Sequence, residues 1–143
     1  EADAAAGFLE GARPPLAALA IFDLGLGVTA TFLPETFVSI MHPGADSGAG
    51  LLVSRTGMLW LVFSAVQGIA ALDPAERPEW VMGAGVLRLM DVPADLTYLL
   101  TTDGLGWLGR TGLMSSPIFN AATGAFFAYA GYRGLRAKWM ATG

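Results

Sequence analysis

Apolar residues dominate four long stretches of the chain, and most charged residues lie between them. These stretches cover residues 15–33, 50–72, 80–101 and 111–132. Each is close to the roughly 20 apolar residues that a helix needs to cross the hydrocarbon core of a bilayer. They lack the period-2 alternation of a membrane β-barrel, and their Ala, Leu, Gly and Met content favours helix. The pattern predicts a single all-α domain over residues 1–143, an integral membrane four-helix bundle.

A soluble four-helix bundle is the alternative to this interpretation. Helices of soluble bundles carry a polar face of Lys and Glu opposite their apolar stripe. Residues 56–72 offer only Thr, Ser and Gln as polar side chains, so the second stretch has no such face. The composition agrees, because 54% of the 143 residues are hydrophobic and 14% are charged, whereas an average soluble domain has about 25% charged residues.

The basic residues predict the orientation of the bundle. Four spans place both termini on one side, which collects Arg13, Arg77, Arg133, Arg136 and Lys138. The other side has Arg110, and also Arg55 if that residue lies at the interface. Because Lys and Arg accumulate in cytoplasmic loops, we expect cytoplasmic termini and a multi-pass membrane protein. Acidic residues precede the first span, so a cleavable signal peptide is not expected.

The connection between the first two spans has a helical pattern of its own. Phe37, Val38 and Met41 recur at helical spacing, which indicates a short interfacial helix that ends before Pro43. His42 follows this segment and is expected to be an ordinary polar residue of the loop.

Polar side chains within the spans are the candidates for a site, since such groups are costly in lipid and face the bundle interior or a watery cavity. The third span carries three charges at positions i, i+3 and i+7, which share one face. Pro93 lies between the two acids of this span and frees a backbone carbonyl one turn earlier. The candidates over all four spans are Asp23, Arg55, Arg88, Asp91, Asp95 and Asn120.

The depths of these residues suggest two charged layers. Counting about 1.5 Å per residue from the cytoplasmic helix ends places Asp23 and Arg88 in one layer and Arg55 and Asp95 in a second layer nearer the outer face. Two interpretations stay open. A salt-bridge network that fixes the order of the helices is favoured, because two arginines face three aspartates. The alternative is a buried site for a small ligand, a proton or an acid–base reaction.

Two further features predict helix packing. Gln67 in the second span is expected to form an interhelical hydrogen bond rather than to contact a ligand. In the fourth span, small residues at three- and four-residue spacing form a close-packing surface, within the bundle or against another subunit. These residues are Ala121, Gly124, Ala125, Ala128 and Gly131.

Several chemistries are excluded by residue type. With one histidine and no cysteine, a zinc site is not expected. No Ser-His-Asp pattern assigns a catalytic residue. Residues 104–109 read G-x-G-x-x-G, but a dinucleotide site needs a preceding strand, and membrane helices flank this segment. A net charge of −4 opposes nucleic-acid binding, and no cofactor is identified.

The order of several short motifs adds a resemblance. Leu33-Pro34-Glu35 ends the first span, Arg55-Thr-Gly57 opens the second with Trp60 after it, and Arg88-Leu-Met-Asp91 and Asp95 lie in the third. This order resembles that of the small four-helix bacterial membrane proteins of the DoxX-like type, or of a related domain family of unknown function. The resemblance covers most of the chain. It implies the four-helix fold and a place in the bacterial inner membrane, and it marks Arg55, Arg88, Asp91 and Asp95 as family features without a known role.

Three classes of function are compatible with these features. The first is a non-catalytic accessory or structural subunit of a larger membrane complex, of respiratory or photosynthetic type, with lipids and other subunits or further copies of the chain as partners. The second is a binding protein or isomerase-like enzyme for a hydrophobic small molecule, which would use Asp91, Asp95 and Arg88. The third is a proton or solute carrier that four short helices build only as an oligomer.

Overall fold

The computed structural model describes residues 2–45 and 48–142, and every regular element in those ranges is a helix. The elements are α1 (Ala2–Phe32), α2 (Pro34–Met41), α3 (Ala49–Leu72), α4 (Pro78–Thr101) and α5 (Trp107–Thr142). The all-α prediction is confirmed. The four long helices contain the four apolar stretches, and α2 is the short helix that the spacing of Phe37 and Met41 indicates.

The first and last helices extend beyond the apolar stretches towards the termini. Helix α1 passes through Pro14 and Pro15, where a helix start would be expected. It continues because residues before the prolines are held by packing: Leu9 is buried and lies against Gly134 of α5. The same contact holds the final turns of α5, which lie outside the predicted span. Tertiary packing therefore overrides the local helix-breaking signal.

The long helices form a ring in which neighbours are antiparallel. Helix α1 packs most extensively on α3, and α4 on α5, while smaller contacts join α1 to α5 and α3 to α4. In the first pair, Ser64 Oγ donates a hydrogen bond of 2.8 Å to the carbonyl of Ala20, and Gly57 lies against Thr31. Helices α1 and α4 are therefore diagonal and have few contacts with each other.

Glycines bring α4 and α5 close together. A methyl group on Gly85 would come within 2.3 Å of the Ala128 backbone nitrogen, and one on Gly131 within 2.4 Å of the Met82 nitrogen. Gly124 faces the carbonyl oxygen of Gly85, so that a methyl group there would lie 3.0 Å away. Such close backbone approach is typical of helices that pack through small residues.

The apolar core occupies the half of the bundle nearest the termini. It is formed by small and medium side chains from all four long helices around Phe127, which is fully buried. The other buried members of this core are Leu9, Ala12, Leu16, Leu19, Ala70, Val81, Ala84 and Ala130. Polar side chains replace apolar ones in the next layer, towards the opposite end.

Two helices are long and apolar enough to cross a membrane. They are residues Ala6–Phe32 of α1 and Ala49–Leu72, which is α3. Most residues of both segments are not buried inside the bundle. Among the described residues, α4 and α5 are also long, but their composition is not apolar enough to identify them as candidate spans. Two candidate spans are thus identified where the apolar pattern predicts four.

Candidate functional site

One polar residue from each long helix meets in the interior of the bundle. Asp23 comes from α1, Gln67 from α3, Arg88 from α4 and Asn120 from α5, and none is more than 5% exposed. Because water does not reach them, each polar atom needs a partner within the protein. We call these four residues the buried polar network.

Arg88 lies at the centre of this network. Its Nη2 forms an ion pair with the carboxylate of Asp23 and donates to Gln67 Oε1 at 2.9 Å. Its Nε also donates to Gln67 Oε1, and its Nη1 donates to Asn120 Oδ1, both at 3.2 Å. The guanidinium lies 5.9 Å from the ring centroid of Phe63, within the range of a cation–π contact. Every nitrogen of this side chain therefore has a partner.

Gln67 connects the acid and the base of the network. Its Nε2 donates to Asp23 Oδ2 at 2.6 Å and to the carbonyl of Phe63 at 2.9 Å, while its Oε1 accepts from Arg88. The predicted interhelical hydrogen bond of Gln67 is therefore present. One amide joins α3 to both α1 and α4.

Asn120 extends the network towards Asp95. Its Nδ2 donates to Asp95 at 3.2 Å and to Ser116 Oγ at 3.1 Å, and Ser116 Oγ in turn donates to the same Asp95 oxygen. Ser116 was not among the residues predicted for the site. The signal was present in the sequence, because Ser116 precedes Asn120 by four residues and shares its helix face.

Asp91 is close to this network but is not bonded to it. It lies between Arg88 and Asp95 on α4 and is half-buried. Within residues 2–45 and 48–142 its carboxylate takes part in no hydrogen bond or ion pair. Of the three aspartates predicted for the site, Asp91 alone has no bonded partner in the described part of the chain.

Arg55 and Asp95, which the residue count assigns to one layer, form no ion pair with each other within the described residues. Arg55 is exposed on α3 and forms no ion pair within the described residues, while Asp95 binds Ser116 and Asn120 of α5. The two residues assigned to the outer layer therefore have different surroundings. Counting residues along a helix gives the depth of a side chain, and the side of the helix from which it projects decides its partners.

The small residues of the fourth span divide between two surfaces. Gly124 and Gly131 are buried against α4, and Ala128 lies next to Gly85. Ala121 is half-buried and Ala125 is exposed. Part of the predicted surface thus packs within the bundle, and Ala125 faces outwards.

His42 is buried, contrary to its expected place as a polar loop residue. It is 9% exposed, its ring stands perpendicular to that of Tyr98 with centroids 5.6 Å apart, and its Nδ1 has no hydrogen-bond partner among the described residues. Burial lowers the pKa of the His42 imidazole below its ordinary value of 6.5. The neutral form is therefore favoured.

An apolar groove lies on the surface between α1 and α2. It has a volume of about 440 Å³ and is open to the outside. Phe22 and Gly25 of α1 and Phe37 and Ile40 of α2 contribute to its walls. The residues of the buried polar network do not line it.

No group of three or more metal-ligating side chains occurs within the described residues. Comparisons with protein families, with characterised proteins and with solved structures find no match to this chain. The chemistry of the site therefore follows from its geometry. The buried polar network joins the four long helices and engages every nitrogen of Arg88, whereas the carboxylate of Asp91 forms no hydrogen bond or ion pair within the described residues.

Proposed function

We propose that this chain is a four-span membrane protein that acts as a non-catalytic structural subunit of a larger membrane complex. The observation that carries the proposal is the buried polar network, in which Arg88 binds one residue from each of the other three long helices. When the polar groups of a network are hydrogen-bonded to one another, they stabilise one arrangement of the helices and are not free to act in catalysis. The apolar exterior of the same bundle suits lipid and neighbouring subunits.

The packing of α4 and α5 supports four spans. These two helices run alongside α1 and α3 in one ring. If α1 and α3 cross the membrane, α4 and α5 therefore cross it with them. The charge of Arg88 faces the interior, while large apolar side chains such as Met90 and Ile118 face outwards. Interior charges lower the hydropathy of α4 without exposing charge to lipid. The resemblance to DoxX-like proteins agrees with this arrangement.

Aromatic and basic residues support the orientation with both termini in the cytoplasm of a bacterial cell, in its inner membrane. Trp139 is exposed near the end of α5, on the side that carries Arg136, and Trp107 is exposed at the opposite end of the same helix. Exposed tryptophans at both ends of a helix are typical of the two interfacial belts of a membrane protein. The basic residues of the terminal side then face the cytoplasm.

Labelling of single cysteines tests the topology, since the chain has no cysteine of its own. Glu76 in the α3–α4 turn and Asp103 in the α4–α5 turn are both exposed acids and form a matched pair. In intact cells, a membrane-impermeant maleimide should label Asp103→Cys, whereas Glu76→Cys should react only after permeabilisation. Equal labelling of both variants in intact cells would overturn the four-span topology.

Purification of the tagged full-length chain from its native membrane in mild detergent tests the role of subunit. We expect a partner at fixed stoichiometry in native mass spectrometry. If that partner occupies the apolar groove, Gly25→Trp should weaken the association, because it fills the groove from a position with open space around it. Gly83→Ala, also in open space but outside the groove, should not weaken it. A chain that purifies alone from that membrane would contradict the proposal.

The second candidate function is binding of a hydrophobic small molecule, and the unbonded Asp91 favours it. A ligand that carries a polar group would find a free carboxylate there, next to the buried polar network. If this function holds, the purified chain should retain a lipid or isoprenoid that raises its melting temperature, and Asp91→Asn should remove that shift. A proton carrier would instead show pH-dependent flux in liposomes.

A further inference from the structure

His42 lies where α2 meets the connection between α4 and α5. It directly follows the last residue of α2, and its ring contacts Tyr98 in the final turn of α4. This contact is at the end of the bundle opposite the termini. The buried imidazole therefore lies between the end of α2 and the last turn of α4.

The same two segments are held together by main-chain contacts. The Gly106 N–H donates to the carbonyl oxygen of Met41 at 3.1 Å. A methyl group on Gly109 would come within 2.3 Å of that oxygen, and one on Gly44 within 3.5 Å of the Gly104 Cα. Gly104 has a φ of +76°, which lets the chain turn back towards α2. The end of α2 thus docks against residues 104–109 through one hydrogen bond and close backbone packing.

This docking is compatible with a neutral His42 and opposed by a charged one. Protonation would add a positive charge and a second N–H to a ring whose Nδ1 has no partner among the described residues. A buried charge without a partner is costly and drives either deprotonation or exposure of the group.

The surrounding charged groups do not offset that cost. Tyr98 of α4 meets the imidazole with its aromatic ring. Among the described residues, Glu35 of α2, Arg55 of α3, Asp103 of the α4–α5 connection and Arg110 of α5 are exposed. Asp95 of α4, one turn before Tyr98, is half-buried and accepts hydrogen bonds from Ser116 and Asn120.

We propose that His42 is a proton-operated latch, in which the neutral imidazole keeps the end of α2 docked against residues 104–109 and protonation releases it. Helix α2 provides one wall of the apolar groove through Phe37 and Ile40. Release of its end therefore alters the width of that groove. The latch goes beyond the role of a structural subunit and does not depend on it, because it requires only the packing of α2 on the α4–α5 connection.

Spin labels on the full-length chain test the latch. Ala45 and Asp103 are exposed and lie one residue from the contact between Gly44 and Gly104, so the variant Ala45→Cys/Asp103→Cys places two labels close together. It also removes the carboxylate of Asp103 as a second proton acceptor. We expect dipolar broadening of the label spectrum at pH 7.5 and its loss at pH 5. Broadening that persists at pH 5 although the NMR signal of His42 shows a protonated ring would overturn the latch.

A matched substitution and a second label pair separate the latch from general loosening. His42→Phe retains an aromatic ring against Tyr98 and cannot be protonated, so its broadening should persist at both pH values. Labels at Glu76 and Lys138, which are in contact at the opposite end, should keep their broadening throughout. Loss of broadening at pH 5 in His42→Phe, or at both ends of the unsubstituted bundle, would refute the assignment to His42.

The unsubstituted chain provides an independent readout, because His42 is its only histidine. The NMR signal of the imidazole C–H should titrate below 6.5, and the amide of Gly106 should shift over the same pH range. An imidazole that titrates at or above 6.5, or a Gly106 amide that stays unchanged while His42 titrates, would contradict the latch. This measurement needs no variant and gives its answer whether or not a partner subunit exists.

Discussion

Arg88 and Asp23 form a buried ion pair between two helices that otherwise have few contacts. They lie 65 residues apart in the chain and on diagonal members of the ring. Gln67 and Asn120 bind the same guanidinium from the two helices between them. One arginine on α4 is thereby joined to each of the other three long helices.

Removal of the arginine should cost more than removal of the whole ion pair. Arg88→Met leaves the carboxylate of Asp23 buried without a cation, and breaking a buried pair in this way costs about 3–5 kcal/mol. The double variant Asp23→Leu/Arg88→Met buries no charge and should recover part of that loss. Thermal unfolding in detergent measures both. A double variant less stable than Arg88→Met would show that the ion pair is not the main contribution of these residues.

The two other aspartates of α4 should differ in their effect on stability. Asp95→Asn replaces an acceptor of two hydrogen bonds, from Ser116 and Asn120, and should cost about 1–3 kcal/mol of unfolding free energy. Asp91→Asn should leave stability almost unchanged, because the Asp91 carboxylate is unbonded within the described residues. Chemical denaturation of the two variants in parallel gives the comparison. Equal losses would assign Asp91 a structural role and weaken its candidacy for ligand binding.

Two glycines on α4 should respond oppositely to alanine. Gly85→Ala forces α4 and α5 apart, since its methyl group would meet backbone atoms of Ala128, and overpacking of this kind costs about 1–3 kcal/mol. Gly83 has open space around it, so Gly83→Ala should stabilise the helix by about 0.5–1 kcal/mol. The melting temperatures of the two variants, measured in the same detergent, test this prediction. A neutral Gly85→Ala would mean that the two helices separate without loss.

Stability should fall on acidification through His42. The pKa of the buried imidazole is lowered below 6.5, so the unfolded chain binds the proton more readily than the folded chain does. The stabilisation due to the neutral ring is complete above pH 6.5 and is lost as pH falls through the lower pKa of the folded state. His42→Phe lacks this dependence. Between pH 7.5 and pH 5, the unfolding free energy of the unsubstituted chain should therefore fall relative to that of His42→Phe. A difference between the two proteins that stays constant over this range would contradict the prediction.

The Asp23–Arg88 layer could be predicted from the sequence because helix rise is constant. Charges at equal depth in apolar helices have few other groups to bind. The interhelical hydrogen bond of Gln67 could also be predicted, because an amide within an apolar stretch needs a partner. The short helix α2 could be predicted from the helical spacing of three apolar residues.

The placement of Arg55 and His42 could not be predicted in this way. Depth along α3 does not fix the direction in which Arg55 projects, and it projects outwards. His42 precedes a Pro-Gly pair and has the local signature of an exposed loop. Its ring packs against Tyr98, which lies 56 residues later in the chain, and the neighbouring Met41 contacts residues that are later still. Such long-range contacts leave no periodic pattern in a single sequence.

The residues of the buried polar network are divided between the two halves of the chain. The first two long helices supply the acid and one amide of the buried polar network, and the last two supply the base and the other amide. Asp23 and Gln67 bind each other within the first half, and Arg88 and Asn120 within the second, whereas Arg88 binds Asp23 and Gln67 across the two halves. The turn of residues 73–77 joins these halves, and an arrangement that separated them would leave the carboxylate of Asp23 buried without its cation.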